Sequence, residues 1–167
     1  MIFACLALTV QAQDSIPLLK IGYLSYDNAL KAMPDYALQQ QKLAELRQQY
    51  EAELKRVEED FNRKYEEFLD GQKDFPKTIL YKRQTELKEL MERNVNFKNN
   101  SLRELAEAEK AAMVPLRQRL NLLLAEIARQ HSYAIILNTD GDACPHVAPS
   151  MGEDITETVI QRLNEHK

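Results

Sequence analysis

Glycine is scarce in this chain: four residues in 167, at Gly22, Gly71, Gly141 and Gly152. They stand too far apart for a dinucleotide-binding G-x-G-x-x-G, a phosphate-cradling G-x-x-x-x-G-K-S/T or a G-x-S-x-G nucleophile elbow. A nucleotide-driven machine is therefore not expected. Tryptophan is absent, and an excess of basic residues is absent too, since the formal net charge is −4. Without a strong positive field there is no counterion release to drive nucleic-acid binding. Potential metal ligands are dense only at Asp140, Asp142, Cys144 and His146. An EF-hand loop needs more acidic ligands and a closing glutamate, and one Cys with one His is half a zinc site. A polar turn is the expected reading. His131 and His166 have no nucleophile or carboxylate partner in the sequence. No catalytic constellation, metal site or cofactor is expected, and the chain is not read as an enzyme.

The apolar run Ile2–Val10 is too short to span a bilayer. With Val10-Gln11-Ala12 after it, the run reads as a secretory signal peptide over residues 1–12, cleaved after Ala12. Its basic leading region is missing, and a buried N-terminal strand or helix is the structural alternative. Cys5 sits in a poor context for lipid attachment. Once the signal is removed, Cys144 is the only thiol, so no intramolecular disulfide can form despite an oxidising compartment.

What the sequence does have is one long helical stretch, from Asp35 to about His131. Its clearest part is Leu43, Leu46, Tyr50, Leu54, Val57, Phe61, Tyr65 and Phe68, a stripe that repeats every eleven residues. At ~3.67 residues per turn such a stripe stays nearly straight along an ordinary helix. The breakers between Asp70 and Pro76 predict a tight turn, and a return arm begins at Lys77. On that arm Leu80, Leu87, Met91 and Val95 are expected on one face, continued by Leu102, Leu105, Ala112 and Leu116. The asparagine-rich run Asn94–Asn100 predicts a soft spot, and Pro115 a kink or a new helix. Residues 35–75 carry a net charge of −4 and residues 76–131 a net of +4, which favours pairing of the arms as an antiparallel hairpin. The stripe is expected to pack that hairpin. Phe75, Ile79 and Phe97, off the stripe, are candidates for contact with another molecule.

Strands are expected at Leu18–Leu24 and Tyr133–Asn138, with Val147-Ala148 as a possible edge strand. A short helix capped by Ser25 or Asp27 follows the first strand. Glu153-Asp154 opens a last amphipathic helix with Ile155, Val159, Ile160 and Leu163 on one face. The two main strands must pair at the base of the hairpin. The fold class is α+β and predominantly helical. A β-containing body of residues 18–34 and 115–167 carries a helical arm of residues 35–114, tipped at 70–76. So small a core is expected to be completed by identical subunits, with Ile21, Tyr23, Ile135, Leu137, Ile155 and Val159 as its body and assembly residues.

This order of elements resembles the Skp (OmpH-like) family of periplasmic chaperones. The resemblance rests on Leu19-Lys20-Ile21-Gly22-Tyr23-Leu24, on Tyr133-Ala134-Ile135-Ile136-Leu137-Asn138 and on Asp154-Ile155-Thr156. It implies a homotrimer whose helical arms surround a cavity, holding unfolded outer-membrane β-barrel proteins without ATP. It departs from the family in charge: well-known members are strongly basic, whereas this chain is acidic and its tip (Asp70, Lys73, Asp74) has no basic cluster. Membrane or lipid contact is left open and is not indicated by charge. The alternative is a structural or adaptor coiled coil of the cell envelope; a cytosolic prefoldin-like hairpin is a third reading.

Overall fold

The computed structural model describes residues 19–142 and 144–165; the expected signal segment lies outside the described residues. The elements run β1 (Ile21–Leu24), α1 (Tyr26–Lys31), α2 (Pro34–Gly71), α3 (Lys77–His131), β2 (Ile135–Asn138), β3 (Gly152–Asp154) and α4 (Thr156–Glu165). The chain is predominantly helical, with one small sheet.

β1 is the central strand and pairs in parallel with both neighbours, in the order β2-β1-β3. Ile21 stands opposite Ile135 and Tyr23 opposite Leu137 on one side, while Ile21 meets Gly152 and Tyr23 meets Asp154 on the other. Parallel partners need a long crossover. Here the whole α1–α3 excursion joins β1 to β2. The edge strand falls at Gly152–Asp154, not at Val147-Ala148. Pro145 and Pro149 bracket that dipeptide and cannot donate to a ladder. Val147 instead covers the sheet: a Cβ on Gly152 would lie 2.5 Å from Val147 Cγ1 and 3.2 Å from the Tyr23 ring. Only glycine fits there.

The last helix also begins later than expected, at Thr156, because Glu153 and Asp154 are spent on β3. Asp154 still shapes the helix start. Its carboxylate accepts from the Thr156 N–H at 2.9 Å and from the Thr156 hydroxyl at 2.6 Å. α3 runs unbroken through both Asn94–Asn100 and Pro115. Tertiary packing has overridden weak helix propensity there.

One hydrophobic cluster organises the body. Leu24, Ala29, Leu30 and Met33 come from its first part, Leu116, Leu120, Leu123 and Ile127 from the end of α3, and Tyr133, Ile155, Val159 and Leu163 from the rest. Each of its buried Leu, Ile, Val and Met side chains contributes roughly 1.5–3 kcal/mol by burial. The buried members skip from Met33 to Leu116. The long middle of α2 and α3 therefore gets its packing from the helix pair alone.

Candidate functional site: the helix pair and the open sheet face

Along the helix pair, Asp35 meets Arg119 at 3.1 Å, Arg47 meets Glu109 at 2.6 Å and Asn94 Nδ2 donates to the Val57 carbonyl at 3.0 Å. The Tyr50 and Phe97 rings lie 6.3 Å apart. Positions thus rise along α2 as they fall along α3. On α2, Leu43 is buried, and Leu46, Tyr50, Leu54, Val57, Phe61 and Phe68 are half-buried. Tyr65 is exposed and stacks on Phe61 at 6.0 Å.

The covered positions of α3 are only in part those the sequence points to: Leu105, Ala112 and Leu116 are covered as expected, whereas Met91, Val95 and Leu102 are not. Leu90, Asn94, Phe97, Ser101, Leu105, Ala108 and Ala112 are buried or half-buried, and they too recur with an eleven-residue period. Leu80 and Leu87 are half-buried as expected, but Met91, Val95 and Leu102 are 49, 53 and 58% exposed. The true seam is hard to see because much of it is small or polar. Ser101, 2% exposed, satisfies its hydroxyl on the Phe97 carbonyl at 2.8 Å. Tyr50 donates its hydroxyl to Glu104, and that bond, more than burial, raises its pKa.

At the turn, the Phe75 ring lies so close to Gly71 that a Cβ there would come within 2.5 Å of it. Phe75, Phe68, Leu87 and Leu90 form the apolar lining of a groove of about 440 Å³, rimmed by Lys64, Glu67, Arg83, Glu86 and Arg93. Of the three proposed contact residues, Ile79 is 44% exposed, Phe75 is half-buried in this groove, and Phe97 is half-buried beside Tyr50.

In the body, the sheet has two different faces. Gly22 and Leu24 are buried on the side of the core, whereas Ile21 and Tyr23 alternate to the other side and are half-buried. Their parallel partners share that outer face: Ile135 is 45% exposed and Leu137 half-buried. Ile155 and Val159 belong to the chain's own core. The outer face is thus an apolar patch of Ile21, Tyr23, Ile135 and Leu137 only partly covered by its own chain.

Polar contacts lock the rim of the body. The Tyr133 hydroxyl donates to Glu153 at 2.6 Å, and Lys20 pairs with Glu153 at 3.2 Å while its ammonium sits 4.5 Å from the Tyr133 ring centroid. His131 stacks on the same ring at 5.7 Å. Burial and the Glu153 bond push the Tyr133 phenol up to about 12; the Tyr133 and Lys20 bonds hold Glu153 below the usual carboxylate range. Asp140 accepts from the Ser25 hydroxyl at 2.7 Å and the Asp27 N–H at 2.6 Å. It is committed to the start of α1. Among the described residues, no group of three or more His, Cys, Asp or Glu side chains is placed to hold a metal ion.

A pair of long helices rooted in a small parallel sheet with one open apolar face defines the class: a helical-arm protein built on a sheet body. Within it, the family described as outer membrane protein (OmpH-like) matches the sequence over residues 20–163, and the chain belongs to that family. A crystal structure of a candidate outer membrane chaperone (OmpH-like) from Caulobacter crescentus CB15 has a similar fold. The TM-score is 0.76 at 18% identity, over 96% of this chain and 92% of that one. No curated protein matches the sequence. Among the described residues, no helix is long and apolar enough to cross a membrane.

Proposed function

We propose that this chain is an ATP-independent holdase chaperone of the periplasm. It shields unfolded outer-membrane β-barrel proteins in a cavity between helical arms. The observation that carries this reading is the helix pair, which draws no buried member of the body's core between Met33 and Leu116. At 1.5 Å per residue the 38 residues of α2 extend ~57 Å. An antiparallel hairpin of that reach, rooted at one end, walls a space large enough for an unfolded segment.

The sheet supplies the second half of the reading. An outer face of Ile21, Tyr23, Ile135 and Leu137 is covered when three bodies come together, and three arms then enclose one cavity. Membership in the OmpH-like family and the chaperone named for the Caulobacter structure support this assignment. Export through a signal peptide cleaved after Ala12 brings the chain to its clients. Ile79 and Phe75, at the far end of the arm, contact them.

The test is light scattering on the mature protein, with and without a urea-denatured β-barrel protein, beside an aggregation assay. A trimeric mass, one client per trimer and suppressed aggregation are expected. A monomer, or no effect on aggregation, defeats the reading. Stable capture of one folded partner with no affinity for unfolded chains favours an envelope adaptor instead.

A further inference from the structure

Met91 and Leu102 stand eleven residues apart, and Leu80 and Met113 continue the same spacing. With that period all four lie on one line of α3. Each follows by one residue a position of the eleven-residue series that contains the covered Leu90, Ser101 and Ala112, so the line runs ~100° around the helix from the seam. Its central members are open, Met91 49% and Leu102 58% exposed, and so is Val95 beside them, at 53%. The seam does not use them.

The charge beside this line is equally particular. Lys98, Arg103 and Lys110 make no ion pair with any described residue. Glu104 and Glu109 are turned to the other helix, toward Tyr50 and Arg47, and Glu107, four residues after Arg103 and three before Lys110, forms no ion pair with either. A chain of net charge −4 thus carries an apolar stripe bordered by unpaired cations.

We propose that this stripe is the track on which the arm holds unfolded chain, and that it favours segments in which acidic residues alternate with apolar ones. The assignment rests on the chaperone reading above. Spacing supports an extended polypeptide as the occupant. Met91 and Val95, like Leu102 and Ala106, are four residues apart, ~6 Å along the axis. Side chains on one face of an extended strand recur every ~6.7 Å. Each doublet therefore takes two same-face apolar residues, while the intervening acidic residues reach the cations. The doublets themselves repeat every ~16.5 Å, which is not a multiple of the strand spacing. No long segment satisfies all of them in one register. Holding is then many exchangeable contacts, which suits release without ATP.

The experiment measures binding of a labelled, urea-denatured β-barrel protein by fluorescence anisotropy after dilution into the full chain. M91S/V95S/L102S alters only half-exposed side chains and should keep its helical circular dichroism. It is expected to weaken binding about tenfold or more, the loss of ~1.4 kcal/mol that a factor of ten represents. K98E/R103E/K110E is expected to weaken binding of an acidic client to a similar degree. It should leave unchanged the binding of the same client with its Asp and Glu amidated. Tyr81→Ser, at a residue 73% exposed but off the stripe, should have no effect. If the unaltered protein binds the client and the stripe variants bind it equally well, the stripe is overturned and the chaperone reading survives. The stripe is also overturned if Tyr81→Ser costs as much. It is overturned again if the stripe variants change only the sedimentation mass or only flotation with anionic vesicles, which would assign the line to a second copy or a lipid surface. If the unaltered protein binds no unfolded chain, both readings fall.

Discussion

Tyr133 and Asp140 show how single residues tie the body together across long sequence separations. Asp140 lies in a turn that composition alone marks as polar, and its partner Ser25 is 115 positions away. Nothing in the local sequence announces that bond. Tyr133 was expected to open a strand, but β2 begins only at Ile135, and Tyr133 packs in the core while its hydroxyl reaches Glu153. Its phenol is raised above the ordinary tyrosine value of 10.0 to about 12. The protonated phenol is thus favoured by folding: its contribution is complete below pH 10 and is lost as pH climbs from there to about 12. Ultraviolet absorbance should show the latest tyrosine ionisation accompanying alkaline unfolding, and Tyr133→Phe should remove it while the delays at Tyr50 and Tyr26 remain. Glu153 works in the opposite sense. Its depressed value makes its contribution present above the ordinary carboxylate range and lost as acid titrates it. A latest tyrosine step that survives Tyr133→Phe would mean that the Tyr133–Glu153 bond does not persist in solution.

At the scale of elements, one half of the helix pair was readable and the other half only in part. α2 announces its seam because Leu43, Tyr50, Val57 and Phe61 are large and apolar at helical spacing. α3 carries two candidate lines one residue apart. The more apolar line, through Met91 and Leu102, is exposed, while the line through Asn94, Ser101, Ala108 and Ala112 is covered. On the covered line Asn94 reaches the Val57 carbonyl and Phe97 lies beside Tyr50, so the seam mixes polar, small and aromatic side chains. Periodicity finds apolar lines but cannot tell which one a partner will fill with its own volume. The covered line makes a direct prediction. Ser101 is 2% exposed, so Ser101→Leu adds apolar bulk where the helices have no room. It should destabilise the chain by about 1–3 kcal/mol in urea unfolding, as overpacking of a closed site does. Stabilisation by the same change would mean that the Asn94–Ser101 stretch is loosely packed and that the helices part there readily.

For the whole molecule, the strands at 21–24 and 135–138 were legible from their β-branched and aromatic residues, but β3 was not. Gly152-Glu153-Asp154 has no apolar side chain to mark it. It is a strand because its backbone completes the free edge of β1, a non-local cause that no window of sequence contains. The same sheet sets the limit on what one chain can do alone. The core claims Leu24, Ile155 and Val159, leaving Ile21, Tyr23, Ile135 and Leu137 on the outer face. If that face joins three bodies, a charge placed at its centre must be paired or exposed, and neither is available in a closed apolar contact. Ile135→Asp alters a residue already 45% exposed in the single chain, so the isolated subunit should keep its helical content. Sedimentation velocity should then show the mass falling from three chains to one. Protection of a denatured β-barrel protein should fall with it, because a lone arm encloses no cavity. A variant that stays trimeric moves the subunit contact off the sheet. A monomer that still protects its client locates the holding in the single arm and makes the cavity unnecessary.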